Sequence, residues 1–94
     1  MRDAVIVEAV RTPLGKGRAN GALHGDHPAD LLARTLASLV ERAGIDPAAV
    51  DDVIGGVVTQ AGDQALNITR TAVLAAGFPE SVPAMTVDRQ CGSS

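Results

Sequence analysis

The strongest local constraint on this sequence lies between Pro28 and Gly44, where Leu32, Leu36, Leu39, Val40 and Ala43 recur at helical spacing. Pro28 suits the first helical position, whose N–H has no intrahelical partner, and Asp30 in the first turn complements the positive end of the helix dipole. Gly44 is the residue type that closes a helix in the left-handed conformation. A helix over residues 28–43 is therefore expected, with an apolar stripe that must find a surface to cover.

Short β-branched runs lie on both sides of that helix. Residues 4–9 (Ala-Val-Ile-Val-Glu-Ala) carry one charge in an apolar run and predict a largely buried strand. Residues 53–59 (Val-Ile-Gly-Gly-Val-Val-Thr) predict a second, and Gly55-Gly56 within it predicts a bulge or a close backbone approach. Pro83 limits a third strand to residues 84–87. Glycines 15, 17, 21 and 25 mark a loop; their spacing is not a dinucleotide fingerprint and no helix opens among them, which argues against a phosphate cradle. Asp46-Pro47 predicts a short helical turn through Val50, and residues 60–66 read as a polar loop. Asn67 is expected to cap a helix over residues 68–76, closed by Gly77 and Pro79. The order strand, loop, helix, strand, helix, strand specifies an α/β arrangement with a mostly parallel sheet, because parallel neighbours need a crossover between them.

Ninety-four residues make one domain at most. Alanine and valine dominate the apolar content, and Phe78 is the only aromatic residue. At about 25 cal/mol per Å² of buried apolar surface, an alanine face contributes far less than a leucine face, so the core is expected to be small. A formal charge of −3 with scattered arginines gives no basic stripe, and no aromatics are available to stack on bases; nucleic acid is not an expected partner. No apolar run approaches the ~20 residues of a membrane span, and the lead into residue 4 is too short for a signal peptide, so a cytosolic protein is expected.

Cys91 is the single cysteine. It excludes an internal disulfide, and with only His24 and His27 as further soft ligands no metal site is expected. The two histidines are three apart, but Gly25 and Pro28 place them in a loop, exposed to solvent. Cys91 follows the apolar run ending at Val87 and precedes Gly92, Ser93 and Ser94, the setting in which a strand hands over to a helix and exposes a nucleophile at the turn. Backbone N–H groups and the dipole at such a helix start favour the nucleophilic thiolate. The alternative is a small core hydrophobe, since free cysteine is among the most buried residue types. Arg70 and Asp63, flanking the start of the second helix, read as surface or interface residues, and Arg11 reads as an anchor for a neighbouring carboxylate.

Several segments carry a family resemblance when taken in order: residues 5–16 with Arg11-Thr12-Pro13-Leu14-Gly15, residues 55–62, residues 64–70 (Gln-Ala-Leu-Asn-Ile-Thr-Arg), Ala76-Gly77-Phe78-Pro79, and Cys91-Gly92-Ser93-Ser94. Together they resemble the thiolase family, which comprises acetyl-CoA acetyltransferases and 3-ketoacyl-CoA thiolases. One position departs from it: many thiolases carry Asn where this chain has Asp88, and a carboxylate near the thiol opposes thiolate formation unless a cation such as Arg89 compensates. Some steroid-degrading thiolases share the Asp, a hint of bulky acyl substrates.

The resemblance implies a thiolase-like five-layered α-β-α-β-α fold of two similar halves, with residues 1–94 supplying the opening strands and helices of the N-terminal half. It implies Cys91 as the nucleophile of an acyl transfer on 3-ketoacyl-CoA, with its backbone N–H as one donor to the acyl oxyanion. Coenzyme A is then a substrate, no separate cofactor is expected, and the coenzyme-binding loops lie beyond Ser94. The family also needs an activating histidine and a second cysteine as acid/base, neither of which this chain supplies, so residues 1–94 alone are expected to be inactive. The expected partners are acyl-CoA, CoA, the remainder of a thiolase chain, and further copies in a homodimer or homotetramer, since residues 60–70 resemble a part near the family's dimer interface. Ketoacyl synthases of the same superfamily fit the Arg11-to-Gly15 run less well. A non-catalytic thiolase-like lipid carrier and a short subunit or dimerisation piece are the alternatives from other functional classes.

Overall fold

A computed structural model describes residues 1–93. Helix α1 spans Pro28–Ala43 and begins and ends where its capping residues dictate. The His27 imidazole accepts a hydrogen bond from the Ala29 N–H at its N-terminus, and Gly44 closes it at φ 68°, ψ 28°. Arg34 on its outer face pairs with Asp26 in the preceding loop and with Asp30 one turn earlier; the hydrogen bond to Asp26 and then the charge of Asp30 hold its guanidinium above the ordinary arginine pKa. After a 3-10 turn at Pro47–Ala49, capped by the Asp46 carboxylate, strand β1 runs over Val53–Gly56. Helix α2, Ile68–Ala75, crosses over to strand β2, Ala84–Val87.

The two strands pair in parallel, with Val53 opposite Ala84 and Gly56 opposite Val87. Both helices pack together and α2 covers the sheet, so the core forms where they meet. Val73, Phe78 and Val82 are buried at its centre, ringed by Leu36 and Val40 of α1, Val50, Val53, Ala76 and Ala84. Many buried positions are small (Ala29, Ala33, Ala72), as the alanine-rich composition implies.

The predicted strand over residues 4–9 does not form. The segment is extended but outside any ladder, and Val5, Ile6 and Val7 are 76%, 93% and 69% exposed. A strand requires a neighbour to take its N–H and C=O groups, and among the described residues β1 and β2 pair only with each other. The segment comes back to the body at Val10-Arg11-Thr12, beside Arg34, Thr35, Ser38 and Arg42 of α1. The second strand is also shorter than its sequence run of 53–59. Val57 donates to the Val87 carbonyl at 2.9 Å, and there the ladder ends because the partner strand turns away at Asp88.

Candidate active site

Strand β2 delivers Cys91. Its hold on the rest of the fold comes from a hydroxyl network that local sequence patterns do not show. Asn67 caps α2 in the left-handed conformation (φ 54°, ψ 64°), and its side chain also reaches β2, donating through Nδ2 to the Ala84 carbonyl at 3.1 Å. The Thr86 hydroxyl donates to Asn67 Oδ1 at 2.8 Å. Having one proton, it then acts as acceptor for the Thr69 N–H at 3.2 Å and for the Thr69 hydroxyl at 2.8 Å. Thr69 is fully buried, and this network satisfies it.

Gly55 answers the question left by the Gly55-Gly56 pair. The ladder runs through both residues without a bulge, and a Cβ on Gly55 would lie 2.1 Å from Thr69 Oγ1. A Cβ on Gly56 would lie 1.5 Å from the Ser93 carbonyl oxygen. Close approach is therefore the reason for both glycines, to α2 in one case and to the turn carrying Cys91 in the other.

That turn is built from its own side chains. Asp88 Oδ1 accepts the Gln90 N–H at 2.8 Å, and Ser93 Oγ accepts the Arg89 N–H at 2.7 Å. Gln90 takes φ 46°, the left-handed region that residues with a Cβ seldom occupy. Gln90–Gly92 forms one 3-10 turn, with Gly92 N–H to the Arg89 carbonyl at 3.1 Å and Ser93 N–H to the Gln90 carbonyl at 2.8 Å. Cys91 at its centre is a free, exposed thiol rather than a core residue, and its N–H has no acceptor among the described residues. Within those residues the helix expected to open here amounts to this single turn; Ser94, the last residue of the signature, lies outside them.

The other sequence candidates are used elsewhere. His24 is an exposed loop residue, while His27 caps α1 and faces Asp63 at 3.8 Å. Arg70, expected at a surface or interface, is half-buried and donates to the carbonyls of Glu80 (3.0 Å) and Val82, holding the segment that leads into β2. Arg11 donates to the neighbouring Thr12 carbonyl at 3.2 Å rather than to a carboxylate. Among the described residues, surface cavities of about 250 Å³ beside Arg11, Arg34 and Arg42 and of about 340 Å³ beside Leu36, Ile54 and Phe78 are both lined without Cys91. No described helix is long and apolar enough to cross a membrane.

Comparison with known proteins places this geometry in a family. Residues 4–94 match the family model described as thiolase, N-terminal domain. The chain is similar to the steroid 3-ketoacyl-CoA thiolase FadA6 of Mycobacterium tuberculosis, with 57% identity over all of this chain and 23% of that protein. It is similar to a 3-ketoacyl-CoA thiolase of Saccharophagus degradans at 47% identity, over 99% of this chain and 24% of that protein. Among solved structures, the acetyl-CoA acetyltransferase of Bacillus anthracis matches 78% of this chain and 18% of its own, with TM-score 0.71 and 46% identity. The chain thus spans about a quarter of the length of the curated relatives it matches.

Proposed function

We propose, from the premise that this chain belongs to the thiolase family, that the intact protein is an acyl-CoA acyltransferase with Cys91 as its nucleophile. The observation that carries the reading is an exposed, free thiol on a tight turn directly after a parallel strand, inside the segment matched to the family. Residues 1–94 are the opening part of the N-terminal domain, and further elements of the protein complete its sheet and its site.

The Cys91 sulfur attacks the 3-keto carbon of a 3-ketoacyl-CoA, and the carbonyl oxygen takes the negative charge. The N–H of Cys91, which has no acceptor among the described residues, is available to that oxygen. Collapse of the adduct breaks the bond between C2 and C3, and the electron pair leaves on C2 as the acetyl-CoA enolate, which takes a proton. The acyl group, now a thioester on Cys91, passes to the sulfur of a second CoA, whose proton is lost to a base. Run backwards, the same steps condense two acyl-CoA molecules. Coenzyme A is substrate throughout, and no further cofactor enters. The activating histidine and the second cysteine of this reading are supplied by the rest of the protein: Cys91 is the single cysteine here, His27 caps α1, and His24 lies exposed in the preceding loop.

Similarity to a relative named a steroid 3-ketoacyl-CoA thiolase, at 57% identity, supports a bulky, ring-bearing acyl chain in degradation. A cytoplasmic homodimer or homotetramer is the assembly this reading implies. The test is incubation of the intact protein with a 3-ketoacyl-CoA and CoA, following acetyl-CoA release and locating the acyl adduct by peptide mass spectrometry. An adduct on Cys91 that is lost in Cys91→Ala supports the reading; turnover that survives Cys91→Ala sinks it.

A further inference from the structure

The geometry points to Asp88 as the positioning residue of the Cys91 turn, acting through one carboxylate oxygen as acceptor rather than through its charge; this rests on Cys91 being the nucleophile. Gln90 immediately precedes Cys91, so its backbone angles set the direction of the Cys91 N–H and of the Cα–Cβ bond that carries the sulfur. Those angles are left-handed at φ 46° in a residue with a side chain, which the backbone does not adopt without support. The support is the bond from the Gln90 N–H to Asp88 Oδ1 at 2.8 Å.

Two consecutive N–H groups of this turn are taken by side-chain oxygens, Arg89 by Ser93 Oγ and Gln90 by Asp88 Oδ1. The next in line, that of Cys91, is left without an acceptor among the described residues. Without Asp88, Gln90 is free to relax to a right-handed or extended conformation, which turns both the thiol and that N–H away. An asparagine offers the same oxygen at the same reach. Asp and Asn are therefore interchangeable in this role, although only one is charged, and Ala or Glu is not: Ala has no acceptor and Glu moves it by one carbon–carbon bond.

The experiment uses the intact protein with Asp88→Ala, Asp88→Asn and Asp88→Glu, measuring kcat and KM for a 3-ketoacyl-CoA, the rate of Cys91 alkylation by iodoacetamide, and the thermal midpoint. Asp88→Ala is expected to lower kcat and the alkylation rate about tenfold, the equivalent of ~1.4 kcal/mol, with KM within about twofold of wild type. Asp88→Asn is expected to restore both rates to within about threefold, and Asp88→Glu to leave them low. Full activity in Asp88→Ala or Asp88→Glu overturns the proposal, and so does an Asp88→Asn variant as slow as Asp88→Ala, which would assign the effect to charge. Should Asp88→Ala fail to fold, the Asn-against-Glu comparison decides alone. Cys91→Ala is run in parallel: an acyl adduct that persists in it overturns the nucleophile reading itself, whereas loss of the adduct with no Asp88 effect overturns only the positioning role.

Discussion

Gly55 of β1 and Thr69 of α2 approach so closely that a Cβ on the glycine would lie 2.1 Å from the threonine Oγ1. No side chain fits there unless the helix lifts from the sheet. Gly55→Ala is therefore expected to destabilise the intact protein by about 1–3 kcal/mol, the usual cost of overfilling a packed site. Urea unfolding measures it. Thr69→Ala in the same chain removes the offending oxygen, so the double variant should fall short of the sum of the two single losses.

Thr86 is the centre of the network that ties β2 to the start of α2, serving as donor to Asn67 and acceptor for two groups of Thr69. Thr86→Val keeps the shape and removes all three bonds, two of them to groups of the fully buried Thr69. The expected loss is about 1–3 kcal/mol, against less than about 1 kcal/mol for Thr86→Ser, which keeps the hydroxyl. Equal losses in the two variants would show that packing of the methyl, not the hydrogen bonds, matters.

Arg70 spans from α2 to two successive anchor points, the carbonyls of Glu80 and Val82, just before β2 begins. Removing it in Arg70→Ala leaves those carbonyls to water and frees the segment around Pro83. A stability loss of about 1.5–3 kcal/mol is expected. Arg70→Lys, a point charge without the planar fork, should recover less than half of it. Limited proteolysis should show new cleavage between residues 79 and 83 in the alanine variant, and unchanged cleavage there would count against the clamp.

Gly44 closes α1 at φ 68°, where nothing lies within 4 Å of the place a Cβ would occupy. Space is not limiting, so only the backbone conformation opposes a side chain. Gly44→Ala is expected to cost about 1 kcal/mol, and Gly44→Asn clearly less, since Asn tolerates the left-handed region better. Both are read from thermal or urea midpoints of the intact protein.

Elements whose signals are local were legible in advance. Pro28, Asp30 and Gly44 all act within a turn of the helix they bound, and α1 has the limits they predicted. Pro83 did the same for β2, and Asn67 for the start of α2. The run at residues 4–9 misled because β-branched composition specifies only the readiness to pair, and the described residues offer it no ladder. The carbonyl partners of Arg70 were out of reach for a related reason: they lie 10 and 12 residues away, outside any pattern a helix repeat can show.

The site was half legible. A lone cysteine before Gly92-Ser93 marked the turn, and the structure has it exposed there. Asp88 read only as a charge beside the thiol, because a carboxylate in a sequence announces its charge and not which N–H it will accept.

The sequence by itself determined where α1 and β2 begin and end, the order helix, strand, helix, strand from α1 onward, and the family to which residues 4–94 belong. Only the tertiary structure decided that Gly55 is empty space for Thr69, that Arg70 grips the approach to β2, and that Asp88 holds Gln90 in a left-handed turn before Cys91. Capping and periodicity are governed by neighbours within about four residues along the chain, and can be read along it. Close approach and hydrogen bonding across 10 to 19 residues depend on how α2 settles on the sheet, which no single segment encodes.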